Sequence, residues 1–352
     1  MDLQGGRLTN QTEVSYNRDD VMNLPIVSTQ ILGTGSYLPE RCVKNSELTS
    51  SVGLDEAAIE QRTGIRERHW AAKEEAASDL AVQAARAALR MAGGSPAELQ
   101  AIILSTTSPD MPAFPATACL IQERLGAKKA VGFDVAASCG GFLVALSVGL
   151  QWIASGQARS VLVVASEVKS RFVDLRDPAT AILFGDGAGA VLLGSGGNGH
   201  AVLCVKLHSD GSRAHLIRLP AGGSRMPISP STLSQGLHTL RMNGGAIFRA
   251  AVRRLESVTR EVLKEQGLEI TDIHHFVYHQ ANARILSALA RRLSIPSDRL
   301  VTTLSYTGNT SSASLPIALD HLVRSGRLKK EERIFLGAFG GGLNWGGALI
   351  RW

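Results

Sequence analysis

The sequence predicts an α/β fold assembled from two duplicated halves, and three observations carry that prediction. Apolar residues at helical spacing alternate with short continuous apolar runs, the pattern of helices interleaved with buried strands. The same order of units occurs twice: FPATACLIQERLG, VGFDVAASCGGFLVALSVGLQWIASG and SVLVVASE, then HQANARILSALARRLS, LVTTLSYTGNTSSASLPIALDHLVRSG and RIFLGAFG. The repeat also keeps register. Cys139 stands 17 residues before Gly156 and Asn309 stands 17 before Gly326, and each half closes on a glycine phrase, FGDGAGAVLL or FGGGLNWGGALI.

Taken in order, residues 1–25 are polar and of mixed charge (Gln4, Asn10, Glu13, Arg18, Asp19, Asp20) and read as a flexible N-terminal tail. They lack the apolar stretch and cleavage site of a secretory signal, which points to a cytoplasmic protein. A first strand is expected over residues 26–32. The N-terminal half then runs over residues 26–198 and the C-terminal half over 199–352. From Gly156 to Phe184 is 28 residues and from Gly326 to Phe339 is 13, a difference of 15. The excess marks an inserted capping loop at about residues 168–182. Cys139 and Asn309 occupy equivalent places, each entering a helix. Pseudo-twofold symmetry would bring those two helix N-termini into one cleft.

Composition narrows the class. The 352 residues are 44% hydrophobic and 19% charged, ordinary for a globular protein with a large core. No apolar run reaches the ~18 residues of a membrane helix, so no membrane partner is expected. Four cysteines (Cys42, Cys119, Cys139, Cys204) are too few and too scattered for a disulfide framework. Neither CxxC nor HExxH occurs, and no metal is expected. A net charge of +6 with only 5% aromatic residues suits an acidic partner better than a nucleic acid. GTGSYLP from Gly33 lacks the third glycine of a dinucleotide loop.

Chemistry concentrates at a few positions. Cys139 follows the strand-like VGFDV and precedes an apolar helix. There the unpaired N–H groups and the positive helix end favour thiolate. Gly140 and Gly141 are expected to open space for a substrate. Cys42, Cys119 and Cys204 are read as buried structural cysteines. His279 ends the strand-like HHFVYH, where ligands bind in α/β proteins, while His274 and His275 are read as structural. Asn309, in YTGNTSSAS, is by itself better explained as an ordinary helix cap. The glycines after Phe339 suit either a tight hairpin or a backbone N–H aimed at a carbonyl oxygen.

Taken together, ILGTGSYLPE, QRTGIRERH, FDVAASCGGF, FGDGAGA, HQAN, GNTSSAS and AFGGGLNWG resemble, in order, phrases of the β-ketoacyl-acyl carrier protein synthase III family of the thiolase superfamily. The resemblance runs from about residue 26 to residue 352. It implies a thiolase-like five-layered α-β-α-β-α fold with two mixed sheets, and a homodimer. It also implies a catalytic set of Cys139, His279 and Asn309, with backbone N–H groups of Cys139 and Gly341 as the oxyanion hole. Arg62, Phe114, Gly244 and Phe339 match substrate-binding positions, with Phe114 closing the acyl pocket of the partner subunit. Arg249, Arg284, Arg291 and Arg292 fall where the family docks an acidic acyl carrier protein, and Arg284, Arg291 and Arg292 share a helix face by spacing.

The implied activity is that of an acyltransferase working by decarboxylative Claisen condensation. Cys139 takes an acyl group from a thioester; a malonyl thioester on acyl carrier protein or coenzyme A then supplies the carbanion. The substrates are phosphopantetheine or coenzyme A thioesters and no cofactor is implied. The setting is fatty-acid initiation or a specialised polyketide pathway. A rival within the same fold is an acyltransferase to an alcohol or amine without condensation. The chain has no cysteine after Cys204 to serve as the second thiol of a thiolase. Three positions depart from the family pattern: Ala58 and Pro178 stand where residues sandwich the adenine of coenzyme A, and Gly245 where an Asn touches pantetheine. Losing both stacking partners costs on the order of 1–3 kcal/mol and favours a carrier-protein thioester as acyl donor.

Overall fold

A computed structural model describes residues 29–196 and 200–352. The N-terminal tail expected over residues 1–25, the first residues of the expected strand and the boundary between residues 198 and 199 lie outside the described residues. Strand β1 (Thr29–Tyr37) runs well beyond residue 32 and takes in Gly33 and Gly35. A short ribbon of β2 (Cys42–Lys44) and β3 (Glu67–His69) encloses α1 (Thr49–Val52) and α2 (Glu56–Thr63). There follow α3 (Ala77–Ala92), β4 (Ala101–Ser105), α4 (Thr117–Leu125), β5 (Val131–Val135), α5 (Gly141–Ala154), β6 (Ser160–Glu167) and β7 (Gly187–Ser195).

The second half repeats this plan. Strand β8 (His200–Ser209) leads to a ribbon of β9 (Ile217–Arg218) and β10 (Arg241–Met242) around α6 (Pro230–Ser234). Then come α7 (Gly244–Glu265), β11 (His275–Tyr278), α8 (Ala283–Leu293), β12 (Leu300–Val301), α9 (Leu304–Thr307), α10 (Ser314–Arg324), β13 (Arg333–Gly340) and β14 (Asn344–Arg351). The strand orders β1-β7-β6-β4-β5 and β8-β14-β13-β11-β12 match position by position. So do the pairings: the first two in each half are antiparallel and the last two parallel. The expected two sheets are hydrogen-bonded edge to edge into one ten-stranded sheet, through Gln30–Ala201 and Ile31–His200 of β1 and β8.

Three apolar cores separate five layers. One packs α3 and α4 on the outer face of the N-terminal half, and another packs α7 and α8 on the outer face of the C-terminal half. The third lies between the halves, where Phe142 and Leu146 of α5 meet Leu315 and Leu319 of α10 and inward residues of both strand sets. Helix α5 is apolar nearly all round because it is covered on both sides. Small residues let the layers approach. A Cβ at Gly35 would stand 2.3 Å from the Ala84 carbonyl oxygen of α3, which accounts for the glycines of GTGSY without a nucleotide. Likewise a Cβ at Gly189 of β7 would stand 2.8 Å from Pro316 of α10.

Candidate active site

The chain leaves β5 through Ala136 and Ala137, turns at Ser138 (φ 48°), and enters α5 by a 3₁₀ turn over Ser138–Gly140. A serine at positive φ is costly and marks a position the surroundings hold in place. Cys139 thereby sits at the start of a 14-residue helix, 8% exposed, with its Sγ 3.6 Å from Ser311 Oγ. Burial pushes its thiol up, and the Ser311 contact and the Lys169 charge oppose that rise. The thiolate expected from the helix end is therefore not favoured before substrate arrives. Gly141 does not open space either: a Cβ there would stand 2.1 Å from Ser105 Oγ, so it is glycine for packing against β4.

His279 directly follows β11, and its N–H donates to the Gly337 carbonyl at 2.8 Å, extending the pairing with β13 by one residue. The ring is 4% exposed, and burial lowers its pKa to about 4, so the imidazole is neutral at physiological pH. Its Nδ1 lies 2.6 Å from Ser314 Oγ at the start of α10. That hydroxyl oxygen also accepts the Gln280 N–H at 3.3 Å, and when its own proton is donated to Nδ1 the ring proton is carried on Nε2. His279 is thus a neutral donor. Gln280 locks this corner by accepting the N–H groups of Thr303 (2.9 Å) and Leu304 (3.2 Å).

Asn309 pairs with the strand-like Phe184 of the other half, through its N–H to the Leu183 carbonyl (2.9 Å) and its carbonyl from the Gly185 N–H (3.1 Å). Its Oδ1 accepts the Ser311 N–H at 2.9 Å, which turns the Nδ2 amine the other way. Cys139, His279 and Asn309 all line one cavity of about 630 Å³. Gly340 abuts the nucleophile so closely that a Cβ there would stand 2.7 Å from Cys139 N, and Gly341 lines the cavity beside it.

Beneath these groups lies a charge the sequence reading missed. Glu167, the last residue of β6, is fully buried. Its carboxylate accepts the Thr107 N–H (3.1 Å) and the hydroxyls of Ser108 (2.7 Å), Ser311 (3.1 Å) and Ser312 (2.8 Å), and pairs with Lys169 at 3.1 Å. Burial alone would raise its pKa, but Lys169 and these donors outweigh burial and hold it below the usual carboxylate range. Ser311 bridges Glu167 to Cys139, and the same residue's N–H orients Asn309. The only sequence signal was an acidic residue ending an otherwise apolar run at a strand's C-terminal end.

Arg62, Gly244, Phe339, Arg249 and Arg284 line the large cavity. Arg284 lies over the Phe248 ring, and the Asn282 side chain donates to the Arg62 carbonyl at 3.0 Å. Arg291 and Arg292 lie exposed on the last turn of α8, where Arg292 pairs with Glu256 of α7. Phe114 is apart from the cavity and 85% exposed. In the inserted segment a 3₁₀ turn (Lys169–Phe172) is followed by turns that carry Pro178, Ala179 and Ile182 into the cavity wall. Gly245 lines it as well, whereas Ala58 does not. The buried guanidinium of Arg68 secures this segment by donating to the Ile182 carbonyl at 2.9 Å. His275 faces Glu332 and His274 accepts the Arg333 N–H, both away from the cavity.

The expectation that the other cysteines are buried is corrected. Cys42 and Cys119 are exposed and Cys204 is half-buried, because Cys42 lies on the surface ribbon and Cys119 beside β5, an edge strand.

Profiles described as 3-oxoacyl-[acyl-carrier-protein] synthase III and its C-terminal region match residues 133–211 and 263–352. A β-ketoacyl-[acyl-carrier-protein] synthase III of Methylococcus capsulatus is 46% identical over 92% of this chain and 99% of its own length. One from Caldanaerobacter subterraneus is 43% identical over 93% and 98%. Among solved structures, 3-oxoacyl-[acyl-carrier-protein] synthase III of Aquifex aeolicus superposes with TM-score 0.84 at 40% identity, over 92% of this chain and all of that one. The priming β-ketosynthase of the R1128 polyketide pathway superposes with TM-score 0.85 at 37% identity, over 92% and 96%.

Proposed function

The chain belongs to the 3-oxoacyl-[acyl-carrier-protein] synthase III family, and we propose that it extends a Cys139-bound acyl group by decarboxylative condensation. The observation that carries this reading is the convergence of a nucleophile and two neutral hydrogen-bond donors on one cavity. In the first stage the Cys139 sulfur attacks an acyl thioester, the carbon–sulfur bond to the carrier breaks, and the thiol proton leaves with the carrier sulfur. Backbone N–H groups of Cys139 and Gly341 face the developing oxyanion.

In the second stage a malonyl thioester loses its carboxylate as CO₂, and the bonding electrons pass into an enolate. His279 Nε2–H and the Asn309 amide donate to the enolate oxygen, where charge grows only as the transition state is approached. A neutral His279 suits this role, because it need not give up a proton to stabilise the oxygen. The carbanion then attacks the acyl carbon, and Cys139 departs and regains a proton. Decarboxylation itself generates the carbanion, so the reaction as proposed calls on no cofactor.

Arg249 and Arg284 at the cavity mouth, with Arg291 and Arg292 further along α8, form the proposed docking face for an acyl carrier protein. With Ala58, Pro178 and Gly245 in place of adenine and pantetheine contacts, a carrier-protein thioester is the proposed acyl donor. Strand β5 is an edge strand whose Val131 is 56% exposed, and such an edge is usually covered by pairing. Together with the projecting Phe114, it supports a homodimer through this edge. Among the described residues no helix is long and apolar enough to cross a membrane, and the cytoplasm is the proposed setting.

Intact mass after incubation with a panel of acyl thioesters, with and without malonyl thioester, tests the scheme. The expected adduct is absent in Cys139→Ala and is discharged as a β-keto product when malonyl thioester is added. Transfer of the acyl group to an alcohol or amine, with no β-keto product from any malonyl donor, would replace condensation by simple acyl transfer.

A further inference from the structure

Once on Cys139 the acyl group needs a place, and a second cavity of about 120 Å³ adjoins the sulfur. It shares Cys139, Phe184 and Ile217 with the larger cavity, then continues to Thr107, Lys169 and Phe172. It is small beside the cavity of about 630 Å³ and suits a short acyl chain. Its walls mix apolar side chains (Phe172, Phe184, Leu219, Leu240) with polar ones, among them the exposed Arg218 and the buried Lys169. The Lys169 side chain is 8% exposed, and an ammonium in such a place is costly unless paired.

The pairing is incomplete. The Lys169 ammonium meets Glu167 at 3.1 Å and donates to the Thr107 hydroxyl, and the Phe172 ring centre lies 5.9 Å away. An ammonium has three donors, and these are its two oxygen acceptors among the described residues. The third N–H is left for whatever fills the cavity. An oxygen acceptor on the acyl chain, neutral or anionic, would satisfy that N–H, since the exposed Arg218 also lines the cavity and can balance a carboxylate.

We propose that Lys169 sets the acyl specificity: the group accepted by Cys139 is short and carries a hydrogen-bond-accepting oxygen toward its far end. The proposal rests on Cys139 as the acyl acceptor. A plain alkyl chain would desolvate the ammonium without replacing its acceptor, the condition under which polar-built sites reject apolar analogues.

Competition between thioesters tests this, read as the ratio of acyl masses on the intact protein at short times. The butyryl thioester of acyl carrier protein is set against the 3- and 4-hydroxybutyryl thioesters of the same carrier. The expected result is a preference of about tenfold or more for a hydroxyacyl group over butyryl. Lys169→Met should abolish or reverse the preference over butyryl, and Lys169→Arg should keep it. The wild-type ratio decides even where the Met variant folds poorly. Equal or better use of butyryl by the wild type, or an unchanged ratio in folded Lys169→Met, overturns the proposal alone. No adduct from any of the thioesters overturns the reading of Cys139 along with it.

Discussion

Replacing Glu167 by Gln removes the one buried anion beneath the site, and the structure sets the size of the effect. Lys169 would lose its counter-ion, a change of about 3–5 kcal/mol for a buried pair. Lys169→Met is expected to cost less, about 1–3 kcal/mol, because the carboxylate keeps a backbone N–H and four hydroxyl donors. The double variant removes both charges, so its loss should fall short of the sum of the single losses by about 1–3 kcal/mol. Chemical-denaturation midpoints of the four proteins give the cycle. Single losses that add within about 0.5 kcal/mol would refute the pairing. The pH dependence carries a sign as well. Glu167 has a lowered pKa in the folded protein, so its contribution is present above the unfolded carboxylate range and is lost as pH falls through the folded value. Glu167→Gln should flatten that acid limb. Since Gln keeps only one acceptor oxygen, either Ser108 or the pair Ser311 and Ser312 loses its acceptor, and condensation should also slow by roughly 10–100-fold in a folded variant.

Ser314→Ala removes the hydroxyl that holds His279 as the Nε2–H form; condensation should slow by about tenfold with Cys139 acylation little changed, as single-turnover rates would show. The His279 pKa of about 4 lies below its unfolded value, so the unfolded chain binds the extra proton between about pH 6.5 and 4 and stability falls as pH drops through that window. The shift corresponds to roughly 3 kcal/mol, which His279→Gln should remove from an acid-denaturation profile. Arg249→Glu with Arg284→Glu should raise KM for a carrier-protein thioester by about tenfold at low salt and much less at high salt. A loss independent of salt would count against electrostatic docking.

The fold was legible because the duplication is written at constant spacing, and the layers follow from apolar periods that any register error would bury or expose. Cys139 and His279 stood out because each follows a strand, where α/β folds gather ligands. Glu167, Ser311 and Ser314 did not. Their roles arise from contacts between residues distant in sequence, such as Glu167 with Ser312 or Ser314 with His279, which no local pattern reports. Gly141 was misread for the same reason: its neighbour Ser105 lies on another strand. The thiolate expected at Cys139 weighed the helix end but not burial, which only the packed structure shows.

The most direct test of the account is a single turnover with isolated acyl-enzyme and a malonyl thioester labelled in its free carboxyl carbon. The account predicts one labelled CO₂ and one β-keto thioester for each acyl group lost from Cys139. An acyl mass that persists on Cys139 while labelled CO₂ is released, or an acyl group lost with no carbon–carbon bond formed, would contradict it.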